Sequence, residues 1–162
     1  MQLTKKAAVV LSAADLREKQ ESFSHPWNPN SLIYWTRMSR LAGLQRAAVN
    51  LITVPPQKES FTYHSHHREE EWLFVLSGRG VIEIGDKVVE VTAGDFVGFP
   101  TPSVAHHLCN PYEQELVYLA GGENLDVEVG DFPRLGKRIL REGDNVQIYE
   151  LSDAKPFGPL DT

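Results

Sequence analysis

The sequence predicts an all-β domain, a sandwich or barrel of short antiparallel strands, on the strength of three observations. Between residues 44 and 99, short runs of β-forming residues alternate with turn signals, and the spacing leaves little room for a helix. Glycine and proline separate these runs and keep the connections short, as in hairpins. The length of 162 residues and the 41% of hydrophobic residues suit one globular domain.

The amino-terminal part, residues 1–43, predicts a short helix followed by an ordered arm. Ser12 and Asp15 have the spacing of a capping box, and residues 13–21 are rich in good helix formers. Residues 23–31 are rich in turn-forming residues, and we expect Trp27 among them to pin the arm to the core.

The central part, residues 44–121, contains enough strands to close two sheets. Its β-type runs span residues 47–54, 61–66, 72–76, 81–84, 88–91, 96–99, 104–109 and 116–119. Residues 78–80 and 85–86 supply glycine turns between these runs. Pro55 and Pro56 end a strand because proline lacks the N–H that a ladder needs.

The carboxyl-terminal part, residues 122–162, is acidic and irregular. Prolines and glycines, among them Pro133 and Gly143, interrupt its short apolar pairs, so a second packed domain is not predicted. We expect an irregular arm or edge strand that packs on the barrel. Open sheet edges together with long terminal arms predict a homodimer that exchanges strands or arms.

Composition excludes several classes of function. A net charge of -6 and the lack of a lysine or arginine run argue against nucleic acid and anionic membranes as partners. A single cysteine, Cys109, permits neither an internal disulfide nor a cysteine-based zinc ribbon, and we expect it to pack as a small hydrophobe. No stretch has the length of a membrane span or a signal-peptide core, so we expect a cytoplasmic protein.

The histidines cluster in two of the predicted strands. His64 and His66 are two residues apart, so in a strand they share a face and can converge on one ion. Glu71 follows at an odd offset from His66, and it reaches the same face only if the intervening residues turn or bulge the chain. His67, His107 and His25 are assigned no role, since a lone histidine off that face is usually a surface or hydrogen-bonded residue.

Two spacings resemble the paired motifs of the cupin superfamily. The first is His64-x-His66, four residues, Glu71, six residues and a glycine; the second is a glycine, five residues, Pro100, and then His106, three residues and an asparagine. The resemblance covers residues 45–121 and is to small single-domain cupins. It implies a double-stranded β-helix of the jelly-roll type and a divalent metal held by His64, His66, Glu71 and His106.

The sequence departs from the cupin pattern at three places. Lys58 and Pro102 stand where the family has glycine, and His106 comes one residue later than usual. His107 is therefore the alternative to His106, and Glu70 is the alternative to Glu71. We choose His106 for its spacing to Asn110 and Glu71 for its spacing to Gly78.

Three imidazoles and one carboxylate suit Fe, Mn, Ni, Co or Zn and leave positions open for a ligand. The first hypothesis is a metal-dependent enzyme, an oxygenase, isomerase, epimerase or decarboxylase, acting on a small carbohydrate-like or carboxylate molecule. The alternative is a non-catalytic binding or sensing cupin with a structural or absent metal. Candidate acids or bases are Tyr63, Tyr118 and Glu83, and candidates for the apolar wall are Phe74, Val75, Val97, Phe99 and Leu108.

Overall fold

In the computed structural model of the chain, residues 6–156 and 158 are described. The helices are α1 (Ala13–Glu18) and α2 (Met38–Leu41). The strands before the first motif are β1 (Glu21–Phe23), β2 (Ile33–Thr36), β3 (Ala47–Val54) and β4 (Lys58–Glu59). Those that follow are β5 (Ser65–His66), β6 (Glu71–Ser77), β7 (Arg79–Ile84), β8 (Lys87–Thr92), β9 (Phe96–Phe99), β10 (His106–Asn110), β11 (Leu116–Glu123), β12 (Val127–Phe132), β13 (Lys137–Glu142) and β14 (Asn145–Glu150).

The strands form three antiparallel sheets. The largest has the order β1-β2-β3-β11-β6-β9, the second β4-β10-β7-β8, and the third β14-β13-β12-β5. Neighbours in each sheet are often distant in sequence, as in a jelly roll, where the chain crosses repeatedly between two sheets. The predicted all-β jelly-roll fold with a short amino-terminal helix is confirmed.

The core lies between the first two sheets and follows the strand period of two. In β10, Leu108 is buried and points towards the core, while Cys109 on the opposite face is half-buried. The fully buried apolar side chains come from both sheets: Ile33, Ile52, Val54, Val75, Ile82 and Leu116.

The amino-terminal capping box forms as predicted. The Ser12 hydroxyl accepts from the Asp15 amide at 3.1 Å, and the Asp15 carboxylate accepts from the Ser12 amide at 2.7 Å. The helix ends at Glu18, three residues earlier than expected, because the chain enters β1 at Glu21. Trp27 packs edge-on against Phe132 with ring centroids 5.0 Å apart, so the arm is pinned to a carboxyl-terminal strand.

The carboxyl-terminal part is more regular than the expected arm, because it forms β12, β13 and β14. Ion pairs across the ladder, such as Arg138 to Asp131 at 2.6 Å, hold these strands where apolar residues are few. Gly130 of β12 lies opposite His66 of β5, which places the third sheet against the histidine cluster. Among the described residues, no helix is long and apolar enough to cross a membrane.

Candidate metal centre

Four side chains from four places in the chain meet at one end of the barrel. Glu71 begins β6, His66 ends β5, His106 begins β10, and His64 forms a bridge to His106. The Glu71 carboxylate oxygen Oε2 lies 3.1 Å from Nε2 of His106 and 3.4 Å from Nε2 of His66. The His64 ring centroid lies 4.7 Å from that of His106 and 5.1 Å from that of His66. The structure therefore brings all four predicted residues together.

The turn that the odd offset of Glu71 requires is present. The chain leaves β5 after His66, runs without regular structure through residues 67–70, and enters β6 at Glu71. Glu71 then lies between Phe99 of β9 and Gly122 of β11 in the ladder. The change from the third sheet to the first turns the Glu71 side chain towards the imidazoles.

Glu128 holds this turn in place. Its carboxylate accepts from three successive backbone amides, those of His67 at 2.9 Å, Arg68 at 3.3 Å and Glu69 at 2.9 Å. Glu128 is 3% exposed. A buried carboxylate needs such donors, and three of them in a row fix the backbone.

The outward-facing nitrogens of the three imidazoles also have defined neighbours. Nδ1 of His64 lies 2.7 Å from the Thr62 carbonyl oxygen, and Nδ1 of His106 lies 3.1 Å from the Val104 carbonyl oxygen. A carbonyl can only accept, so these Nδ1 atoms carry hydrogens, and Nε2 is the nitrogen of each ring that is left for a metal. This is the arrangement in which a histidine binds a metal through Nε2. Nε2 of His106 forms a hydrogen bond with Glu71, and a bound metal would replace that contact.

Nδ1 of His66 has a different neighbour. It is buried without a hydrogen-bond partner among the described residues, and it lies 3.5 Å from a Glu128 carboxylate oxygen. A small shift would let Nδ1 donate to that oxygen, which would orient His66 as the carbonyls orient the other two rings.

Charges at the cluster favour metal ligation. Burial lowers the pKa of His64 to about 4, so this ring is neutral at pH 7. Burial raises the pKa of Glu71, but hydrogen bonds to His106 and His66 outweigh it and hold that pKa well below its ordinary value. Burial lowers the pKa of His66, yet the hydrogen bond and charge of Glu71 raise it above the ordinary histidine value. An ionised carboxylate beside imidazoles is the donor set that binds divalent transition metals.

The cluster borders a small buried cavity and an open cleft. The cavity, of about 30 Å³, is lined by apolar side chains and by Tyr118. Phe99 stacks on the His106 ring at 3.8 Å. His66 and Glu71 also line the cleft, of about 120 Å³, which runs past Asn50.

Of the expected apolar wall, Phe99 and Leu108 line the cavity, whereas Phe74 is 37% exposed on the outside and Val75 is buried in the core. Val97 packs against that core from its edge.

Each alternative ligand points elsewhere. Glu70 is exposed, and its amide donates to Glu123 at 3.1 Å. His107 is on the opposite face of β10 from His106, as strand alternation requires.

The candidate acids and bases are separated by the fold. Tyr118 lines the cavity, but Arg134 lies 3.9 Å over the Tyr63 ring and pairs with Glu83 at 3.0 Å. Glu128 was not predicted from the sequence, since its only local signal is a charged residue between two valines in a strand.

Comparison with known proteins shows the family to which this chain belongs. The profile of the family described as "Cupin domain" matches residues 50–121. A solved structure from Acidithiobacillus ferrooxidans, provisionally named a sugar phosphate isomerase, is 33% identical and superposes with a TM-score of 0.86, covering 92% of this chain and 96% of its own. The chain belongs to the cupin superfamily.

Two further structures share the cupin fold with this chain. One, named a sugar phosphate isomerase from a cupin superfamily, comes from Silicibacter pomeroyi; it is 17% identical with a TM-score of 0.75, over 88% of this chain and 95% of its own. The other, a predicted oxalate decarboxylase from Thermotoga maritima, is 20% identical with a TM-score of 0.61, over 72% of this chain and all of its own. A comparison with curated protein sequences found no match. Glu128 lies beyond the part of this cupin that the family profile matches.

Proposed function

We propose that this cupin holds one divalent transition metal through His64, His66, Glu71 and His106 and acts on a small sugar-like or carboxylate molecule. The observation that carries the proposal is the orientation of the imidazoles. Nδ1 of His64 and of His106 donates to a backbone carbonyl, which leaves Nε2 as the nitrogen of each ring available to a metal beside Glu71.

The donor set fits Fe, Mn, Ni, Co or Zn. Such an ion, when bound, would supply Lewis acidity towards a substrate oxygen. The protein's own groups fix the ligand positions, keep His64 neutral and keep Glu71 ionised. The apolar side chains around the cavity exclude water and so strengthen the electrostatic interactions within it.

The cleft gives the route for a substrate. Glu71 lines both the cavity and the cleft, and His66 lines the cleft, so a molecule in the cleft reaches the centre from the side of Asn50. A second depression, of about 750 Å³, shares Ala48 and Asn50 with the cleft.

The charges of this depression favour one class of substrate, a phosphorylated or otherwise acidic sugar. Three arginines, Arg37, Arg40 and Arg141, line it beside two aspartates, Asp126 and Asp144, so cationic side chains are in excess. Guanidinium groups are suited to phosphates and carboxylates. A sugar whose hydroxyl end lies at the cleft would place its anionic group over these arginines. The name of the Acidithiobacillus ferrooxidans relative agrees with this class.

Tyr118 is the proposed hydrogen-bond donor in the cavity. Burial raises the pKa of its hydroxyl, and the nearby Glu71 charge raises it further, so the group stays protonated. In this role Tyr118 donates its hydrogen to a substrate oxygen and stabilises negative charge on that oxygen.

The small cavity favours a second candidate function, ligand binding without turnover. A space of about 30 Å³ has room for one water, so a sugar is confined to the cleft unless the site opens. A sensing or storage cupin would then bind its ligand beside the metal and release it unchanged.

Solvent hydrogen exchange separates the two candidates. The metal-loaded protein is incubated in D₂O with aldose phosphates, ketose phosphates and the matching free sugars, and proton NMR follows the carbon-bound hydrogens. An isomerase or epimerase exchanges a hydrogen next to the carbonyl, and the His64→Ala, His106→Ala variant does not. Chemical-shift changes that show sugar binding, without hydrogen exchange or any other chemical change, would support the second candidate. A wild-type protein that neither binds nor changes any sugar would contradict the proposed substrate class.

The homodimer remains a prediction. Val146 and Ile148 are exposed on β14, the edge strand of the third sheet, which is the kind of surface that a second copy covers. Sedimentation that shows only a monomer would contradict it.

A further inference from the structure

A second group of ligand-type side chains lies on the opposite face of β10. His107 and Cys109 are two residues apart in this strand, so they point to the same side, away from His106. In the ladder, Glu59 of β4 lies opposite Cys109, and Glu83 of β7 lies opposite His107. Directly paired residues share a face, so an imidazole, a thiol and two carboxylates meet there.

Three of these groups are close enough to share one ion. His107 Nε2 lies 3.4 Å from a Glu59 carboxylate oxygen, and His107 Nδ1 lies 3.7 Å from Cys109 Sγ. One nitrogen of His107, the Cys109 sulfur and one Glu59 oxygen all lie within 4.8 Å of one another. Ligand atoms about 2.0–2.3 Å from a tetrahedral ion are about 3.3–3.8 Å apart, so small side-chain rotations would complete the set.

The His107 ring lacks a partner on the side that faces Glu59. His107 is 8% exposed, and its Nε2 is buried with no hydrogen-bond partner among the described residues. Buried polar atoms are nearly always paired, and an unpaired one indicates an unfilled interaction. The nearest charged group is the Glu59 carboxylate, whose contact with Nε2 lacks hydrogen-bond geometry.

The carboxylate of Glu59 is held in position but keeps its charge. Asn28 donates to one of its oxygens at 2.8 Å and Asn30 to the other at 3.2 Å, and both donors are neutral amides. Glu83, in contrast, is paired with the guanidinium of Arg134 at 3.0 and 3.2 Å. Glu59 is therefore the carboxylate available to a cation at this cluster.

We propose that Glu59, His107 and Cys109 form a second metal site, separate from the candidate metal centre, for a borderline-soft divalent ion such as Zn²⁺. Imidazole, thiolate and carboxylate are all ligands of zinc, and three protein ligands leave the fourth position for water. Binding replaces the thiol hydrogen of Cys109 by the metal and releases one proton to solvent. His107 and Cys109 were not predicted as metal ligands from the sequence, because the carboxylate that completes the set, Glu59, comes from a distant strand.

Cobalt titration tests this site without interference from the other. Cys109 is the only cysteine in the sequence, so a near-ultraviolet thiolate-to-cobalt charge-transfer band can report this site alone. Metal-free wild-type protein titrated with Co²⁺ should develop the band, and the band should be complete by two equivalents per chain, because the other centre takes up one. The His64→Ala, His106→Ala variant should keep the band and complete it at one equivalent per chain, and Cys109→Ser should lose it. Absence of the band at saturating Co²⁺ would overturn the proposal, whatever metal the other centre holds.

Glu59, which is partly exposed, allows a test of whether all three side chains bind the same ion. Glu59→Gln keeps the size of the side chain and one of its two amide contacts but removes the charge, and it should weaken Co²⁺ binding at Cys109 by about tenfold or more. Glu115→Gln, an exposed carboxylate elsewhere, should not change it. Zn²⁺ should also slow alkylation of Cys109 in the wild type and far less in Glu59→Gln. Equal affinity and equal protection in both variants would show a thiol that binds metal alone and would overturn the three-residue site.

Discussion

A carboxylate oxygen of Glu128 lies 3.5 Å from Nδ1 of His66. The same carboxylate accepts the three amides that turn the chain between His66 and Glu71. One buried side chain from the third sheet therefore supports two of the proposed metal ligands. It faces the ring of the first and holds the backbone that leads to the second.

Replacement of Glu128 by glutamine should weaken metal binding. The amide keeps one acceptor oxygen but loses the charge that faces His66 Nδ1, and loss of such a partner typically costs about 10- to 100-fold in metal affinity. The metal-free protein should also lose roughly 1–3 kcal/mol of unfolding free energy, because buried amides are left without an acceptor. Competition with a chelating dye measures the affinity, and urea denaturation measures the stability.

Glu142→Gln is the matched control, since Glu142 is an exposed carboxylate in the same sheet. It should leave both quantities unchanged. Equal metal affinity in Glu128→Gln and wild type would show that Glu128 has no part in positioning His66.

Asn110 should be critical for stability but not for metal binding. It is fully buried; its Nδ2 donates to the carbonyls of Val54 at 2.9 Å, Pro55 at 3.1 Å and Gln114 at 2.7 Å. Asn110→Ala leaves these carbonyls unpaired and should lower the unfolding free energy by roughly 2–4 kcal/mol. Asn145→Ala, at the exposed first position of β14, should change it by less than about 0.5 kcal/mol. A small effect at Asn110 would mean that other groups satisfy these carbonyls.

The two glycines that flank Trp72 in the sheet should differ in their tolerance of a side chain. Gly121 lies beside Trp72 in β11, and a β-carbon there would lie 2.1 Å from the indole. Gly121→Ala should cost roughly 1–3 kcal/mol, because the ring has to move. Gly98 lies on the other side of Trp72, and its β-carbon would meet Phe96 at 3.4 Å, so Gly98→Ala should be tolerated. Thermal unfolding of the two variants checks this, and equal melting temperatures would contradict it.

Asp131 should make the stability of the third sheet pH-dependent. Its hydrogen bond to Arg138, helped by one to His67, holds its pKa below the ordinary aspartate value despite partial burial. The pair therefore stabilises the folded state above the unfolded-state pKa of about 4, and the contribution is lost as the pH falls through the lower folded-state pKa.

The variant Asp131→Asn measures this contribution. It should lower the unfolding free energy at pH 7 by about 1 kcal/mol, because Arg138 is partly exposed and its pair with Asp131 is screened. The difference from wild type should shrink as the pH falls below about 4. Asp86→Asn, in an exposed turn, serves as control. A difference that stays constant with pH would contradict the assigned ion pair.

The sequence predicted what depends on local pattern. Ser12 and Asp15 indicated the helix start because a capping box is complete within four residues. The alternation of side chains in strands placed His64 and His66 on one face and His107 on the other. The spacing to Gly78 favoured Glu71 over Glu70, and the structure brings Glu71 to the imidazoles.

What the sequence did not predict depends on pairing between distant strands. Glu128 reaches His66 only because β12 pairs with β5, and Glu59 reaches Cys109 only because β4 pairs with β10. Neither pairing leaves a signal in the nearby residues. The strands after residue 122 were expected to be irregular because ion pairs replace much of the apolar alternation that normally indicates a strand.

Metal content measured by elemental analysis tests the central claim most directly. Wild type, the His64→Ala, His106→Ala variant and a His67→Ala control are purified, stripped and reconstituted with the same divalent metals. The proposed centre predicts that the double variant holds one equivalent less per chain than wild type, while His67→Ala, whose ring faces Asp131, matches wild type. If wild type and the double variant bind equal amounts of metal, or neither binds any, the four residues do not form a metal centre.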